Sequence, residues 1–115
     1  LKFWGGTPSI APYAIAAHSI DYFANIGSLK LREHNQMLIE IVAKQLEDVL
    51  ISPRERYARS GTMVLHFGAR QQQVLKSLNT ANISVDVRCE GIRVSPHIYN
   101  DMNDIEQLLT VIATS

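Results

Sequence analysis

Apolar residues change their spacing along this chain, from helical to alternating and back, and the order of those changes leaves few folds open. From about Ile10 or Pro12 to Asn25, nearly every face carries Ala, Ile or an aromatic ring, which predicts a helix buried between other elements. Gly27 is a natural C-terminal stop, and Ser28 can cap the next helix. In that second helix Leu31, Leu38, Ile41, Val42, Gln45, Leu46 and Val49 keep near-helical spacing, so it is amphipathic and long. The stretch Ser52-Pro53-Arg54-Glu55-Arg56-Tyr57-Ala58-Arg59-Ser60-Gly61 then reads as an exposed loop.

Period two takes over from there. Met63, Leu65 and Phe67 alternate with Val64 and His66, which is strand patterning. Ala69 to Asn79 is a short helix burying Val74, Leu75 and Leu78. Ile83, Val85 and Val87 alternate with Ser84, Asp86 and Arg88, and Ile92 and Val94 alternate with Arg93 and Ser95. The Cys89-Glu90-Gly91 link is short enough for a hairpin, with Gly91 able to take a positive φ. Asn100 or Asp101 caps a last helix whose Ile105, Leu108, Leu109 and Ile112 form one face. Two helices, a strand, a helix, a hairpin and a helix make an α+β fold, with helices packed on a small, mostly antiparallel sheet. The 115 residues amount to a single domain, 1–115.

Composition narrows the function classes. Eleven basic residues against eleven acidic ones leave no net charge, which argues against a dedicated nucleic-acid binder. A hydrophobic content of 46% with 19% charged residues excludes a disordered tail. No apolar run approaches the ~20 residues of a membrane span, and no signal peptide opens the chain. The single cysteine, Cys89, excludes a disulfide framework and a cysteine-based zinc cage. These features predict a compact cytoplasmic protein. The opening Leu1-Lys2-Phe3-Trp4 lacks an initiator Met and puts two large aromatic rings at the end, which predicts a piece of a longer chain.

Two places could carry chemistry. Arg93 sits mid-strand between Ile92 and Val94, so it shares the opposite face with Ser95, His97, Asp86 and Arg88. An arginine held on a rigid strand can grip a carboxylate with two parallel hydrogen bonds. On spacing alone a solvated surface pair of Arg93 with Asp86 is the plainer reading. Gly5-Gly6-Thr7-Pro8 precedes a helix, and glycine-freed amides, a hydroxyl and a helix N-terminus suit a phosphate, although an ordinary capped turn uses the same residues. His18, His34, His66 and His97 are scattered, so no metal site is indicated. Cys89 lies between Arg88 and Glu90, which push a thiol in opposite directions, and reads as an ordinary exposed cysteine. No serine stands in a nucleophile-elbow context.

Together, Gly5-Gly6-Thr7-Pro8-Ser9-Ile10 before an Ala-rich helix, and Gly91-Ile92-Arg93-Val94-Ser95-Pro96-His97-Ile98-Tyr99-Asn100 leading into Asp104-Ile105-Glu106-Gln107-Leu108-Leu109, resemble the C-terminal part of class V aminotransferases. These belong to the fold-type I pyridoxal-phosphate enzymes, with isopenicillin N epimerase-like proteins, kynureninases and cysteine desulfurases among them. The resemblance spans essentially all of the chain. It implies that Arg93 binds the α-carboxylate of an amino-acid substrate, and that Thr7, with Gly6, reaches the cofactor phosphate of the neighbouring subunit in a homodimer. It implies too that the chain is the small C-terminal domain of a larger enzyme, partnered by its own N-terminal large domain. His97, Tyr99 and Asn100 then order the strand-to-helix turn.

The departures are as informative. Such enzymes use a Schiff-base lysine, an aspartate facing the pyridine nitrogen and a ring stacked on the cofactor, all in the preceding large domain. Lys2, Lys30, Lys44 and Lys76 follow Leu, Leu, Ala and Leu, none of which resembles the lysine context of the family. A lysine of that kind needs a desolvating pocket, so the chain alone is expected to be inactive. Desulfurases carry their cysteine in a longer loop well before the arginine. Cys89 stands four positions before Arg93, which sets desulfurase activity aside and brings the hairpin closer to the epimerase-like and kynureninase branches. The competing expectation is a standalone binding or interaction module that keeps the fold without the catalytic domain.

Overall fold

The computed structural model describes residues 9–115. The chain divides into two compact units, residues 1–31 and residues 32–115. In the first, helix α1 runs over Ile10–Ile26, and Gly27 ends it at φ 93° with its N–H donated to the Phe23 carbonyl at 3.1 Å. That is the stop the sequence predicts, because only glycine takes such a φ without strain. The expectation of burial is corrected: no residue of α1 is buried, and Ile10, Tyr13, Ile15, Ile20 and Tyr22 are all exposed. A helix apolar on every side needs cover on every side, and the described residues of its own unit do not supply it.

Helix α2 follows over Ser28–Gln45, with Ser28 as its first residue rather than a cap. The second unit then holds β1 (Met63–Leu65), α3 (Gln71–Thr80), β2 (Asp86–Arg88), β3 (Gly91–Val94) and α4 (Met102–Ala113). The three strands form one antiparallel sheet in the order β1-β3-β2. Among the described residues, then, the architecture is the expected α+β one. The strand foreseen from Ile83 is shorter, however, since ladder pairing begins at Asp86 and Ile83 and Val85 pack half-buried ahead of it.

One face of the sheet supplies Met63, Leu65, Ile92 and Val94 to a single core. Leu38, Ile39 and Val42 of α2, Val74 and Leu78 of α3, and Ile105, Leu108, Leu109 and Ile112 of α4 close that core. Each helix contributes residues three or four apart, the stripe that a 3.6-residue turn aligns. The free edge of β1 is covered by the chain just before it: Ile51 N–H donates to Val64 O at 2.9 Å, His66 N–H donates to Val49 O at 2.7 Å, and Ser52 Oγ accepts from Val64 N–H at 2.9 Å. β3 therefore lies between two partners, with its backbone groups engaged on both sides. No helix among the described residues is long and apolar enough to cross a membrane.

Candidate functional site

Because side chains alternate across a strand, burying Ile92 and Val94 turns Arg93 to the other face. The register places it in a row with Val64 of β1 on one side and Asp86 of β2 on the other. Asp86 answers at once: its Oδ2 accepts from Nη2 of Arg93 at 2.5 Å. The same oxygen lies 2.6 Å from Nη2 of Arg88, two positions along β2 and on the same face. Nε of Arg93 is enclosed and takes no hydrogen bond. The surface pair that spacing foresees thus exists, with a second arginine added to it.

The tight link between β2 and β3 holds this row in place. Arg88 pairs with Gly91, leaving Cys89 and Glu90 as the two loop residues. Gly91 has φ 156°, and a Cβ there would run into the backbone carbonyl of Leu65. Close approach of β1 therefore demands glycine at that point. His66, the residue just after β1, meets the Glu90 carbonyl through Nδ1 at 3.0 Å. Cys89 is free and exposed.

Downstream of Arg93 the chain is fastened by polar side chains of α2. Asn35 Nδ2 donates to Pro96 O at 2.8 Å, and Nε2 of His34 meets Asn100 O at 2.9 Å. The His97 and Tyr99 rings stack with centroids 4.9 Å apart, and His97 N–H donates to Asn100 Oδ1 at 2.9 Å. Asn100 in turn donates to Asp104 Oδ2 at 3.0 Å. Asp101 caps α4 and, with Asp104, forms a reciprocal capping box. The bonds from Asn100 and from the Asp101 amide hold the Asp104 carboxyl below the usual aspartate range.

One buried charge escaped the sequence reading. Arg59 lies inside the stretch read as an exposed loop, yet its side chain is only 1% exposed and pairs with Glu40 of α2. Arg32, Asn35 and Gln36 of the same helix donate to the carbonyls of Arg59, Gly61 and Ser60 at 3.3, 3.0 and 2.9 Å. The loop is thus exposed at Arg54, Glu55, Arg56 and Tyr57 and anchored at Arg59. The available signal was the polar set Arg32, Asn35, Gln36 and Glu40, which keeps helical spacing on α2.

The other sequence candidates separate from this row. Thr7 and Gly6 lie outside the described residues. Lys30, Lys44 and Lys76 are exposed, so none has the withdrawn amine that a Schiff base needs. The described residues therefore do not by themselves fit a pyridoxal-phosphate pocket. No cluster of His, Cys, Asp or Glu among them could hold a metal ion.

Comparison with known proteins places this α+β domain in a family. The pattern of the kynureninase C-terminal domain matches residues 27–112. The chain belongs to that family, within the class V aminotransferase-like, fold-type I pyridoxal-phosphate group. It is also similar to a probable cysteine desulfurase of Ureaplasma parvum, 27% identical over 130 aligned positions that cover 97% of this chain and 32% of that protein. The chain thus spans about a third of the length of that curated relative. No solved structure matches it. One comparison falls in the kynureninase branch and the other in the desulfurase branch, so together they define the group and leave the reaction open.

Proposed function

We propose that this chain is the small C-terminal domain of a cytoplasmic, homodimeric, pyridoxal-phosphate enzyme acting on an amino acid, and that Arg93 binds the substrate's α-carboxylate. The observation that carries this reading is the setting of Arg93. It projects from the middle strand of the sheet, fixed by backbone pairing on both sides, with Nε unclaimed and Nη2 held by a carboxylate from the next strand. A guanidinium already facing a carboxylate, in the Gly91-to-Asn100 motif of this family, has the chemistry an α-carboxylate requires.

The cofactor supplies an electron sink for the charge that develops at the amino acid's α-carbon. Its lysine would come from the large domain of a longer chain, with Thr7 and Gly6 approaching its phosphate from the neighbouring subunit. Arg93's part is orientation. Two parallel hydrogen bonds to one carboxylate leave the amino acid little freedom to swing about its own axis, which is where an intramolecular advantage arises. Transamination, epimerisation and lyase chemistry all need that hold.

Arg93→Ala in the full-length enzyme should lower kcat/KM for the amino acid by about a hundredfold or more. The affinity for pyridoxal phosphate, read from its visible absorbance, should stay nearly unchanged. Equal loss of both would remove the carboxylate role. Borohydride reduction of the full-length protein should trap the cofactor on one lysine outside residues 1–115. No specific adduct at all would favour a cofactor-free interaction module, and a specific adduct within those residues would overturn the assignment of the lysine to another domain.

A further inference from the structure

Carboxylate binding by Arg93 does not explain why the carboxylate already beside it is shared. Asp86 meets Arg93 and Arg88 through one oxygen, at 2.5 and 2.6 Å. The three side chains are 37, 43 and 49% exposed for Arg93, Asp86 and Arg88, so the bridge lies where water and a solute can reach it, although Nε of Arg93 is itself enclosed while Asp86 is in place. On Arg93 it uses Nη2 alone. Nε, on the same edge of the guanidinium, takes no bond. A ligand carboxylate that took both donors would make two parallel bonds where Asp86 makes one.

Such a ligand must first displace Asp86, and two carboxylates beside one guanidinium repel each other unless the displaced one has a cation of its own. Arg88 is already bonded to the oxygen that Arg93 would give up. The charge count agrees. Two guanidiniums and one carboxylate leave one positive charge, and one incoming α-carboxylate gives each guanidinium its own anion.

We infer that Asp86 is a built-in stand-in for the substrate carboxylate, and that Arg88 is the positioning residue that retains Asp86 once a ligand takes Arg93. The inference rests on the reading of Arg93 as the carboxylate site. Before a ligand arrives, Asp86 keeps the guanidinium extended across the row rather than free to fold onto the sheet. When one arrives, only an anion able to use both Nη2 and Nε displaces it, so the site discriminates between amino acids and the corresponding amines. The exchange is a swap of hydrogen bonds, and no covalent bond changes.

The test follows the Arg93 Nε–Hε resonance of the 15N-labelled chain during titration with sodium acetate at constant ionic strength. Partly exposed pairs are worth up to about 1 kcal/mol, a factor of about five in affinity. Asp86→Asn should therefore bind acetate about two- to fivefold more tightly than wild type. Arg88→Gln should weaken binding by a similar factor, because Asp86 then has Arg93 as its only guanidinium partner in the row. In an Asp86→Asn background, Arg88→Gln should have little further effect. Unchanged amide shifts at Leu65 and Ile92 serve as the control for folding.

Failure of Asp86→Asn to tighten binding would overturn the stand-in. An equal loss from Arg88→Gln with and without Asp86 would mean that Arg88 acts on the ligand directly, and would overturn its retaining role. If acetate moves the Arg93 signal in neither wild type nor Asp86→Asn, the carboxylate reading of Arg93 itself fails and the stand-in falls with it. That result differs from the first two, in which acetate binds but the variants rank wrongly.

Discussion

Two arginines show how differently a charge can be read. Arg93 was legible because it interrupts an alternating apolar strand inside a family motif, and alternation sends it to the open face. Arg59 was not, because nothing in Ser52-to-Gly61 marks one charge among several as buried. Its partner Glu40 sits nineteen positions away on α2, and only folding brings the two together. The pair carries an asymmetric prediction. Glu40→Gln leaves the buried guanidinium without its counter-charge and should cost about 1–3 kcal/mol, while Arg59→Met, which removes the charge and keeps the bulk, should cost less. Urea unfolding of both variants ranks them. Arg59's hydrogen bond, the largest influence, holds the Glu40 carboxyl below the usual glutamate range against the opposing effect of burial. A carboxyl lowered on folding adds stability above its unfolded pKa and loses it as pH falls through the folded one. Wild-type stability should therefore decline on acidification below about pH 4. Arg59→Met should flatten the part of that slope due to Glu40.

Among the elements, those with local signals appear where they were foreseen. Asn100 or Asp101 was read as the start of α4; the cap falls to Asp101, and Asp104 returns the bond. Asp101→Ala should destabilise the domain by about 1 kcal/mol in urea unfolding, the usual value of an N-cap. The β2–β3 hairpin follows from two loop residues and a glycine, but the demand on Gly91 comes from β1, whose Leu65 carbonyl occupies the place of a Cβ. Gly91→Ala should cost about 2 kcal/mol or more, since backbone rather than a pliable side chain must yield. If it is tolerated as well as an ordinary surface change, β1 does not approach the hairpin as closely as described. Strand β2 was foreseen too long, because alternation from Ile83 to Val87 reports half-burial and not ladder hydrogen bonding. In α1 the apolar pattern was legible, but what covers it cannot be read from the pattern.

For the whole molecule, the division falls at Leu31–Arg32, and every buried apolar residue lies between Leu38 and Ile112 among those described. A chain trimmed to residues 28–115 should therefore unfold in a single cooperative transition, with a midpoint within about 4 °C of the longer chain. The exposed apolar residues of α1 predict a second contrast: residues 1–115 should self-associate in sedimentation equilibrium, and residues 28–115 should stay monomeric. Equal masses for the two would show that α1 does not offer an adhesive surface.

Periodicity, caps and glycines are local properties, and they were enough for the element order, the fold class and the face to which Arg93 points, while the family was legible through the resemblance of the Gly91-to-Asn100 motif. Distances between residues remote in sequence are not local. The β1-β3-β2 order, the enclosure of Arg59 by α2 and the sharing of Asp86 between Arg93 and Arg88 each arise when separate stretches close on one core. A charge on a strand can be assigned a face from spacing alone. Which opposite charge meets it there depends on register, and register is settled only when the apolar faces of all three strands are buried together.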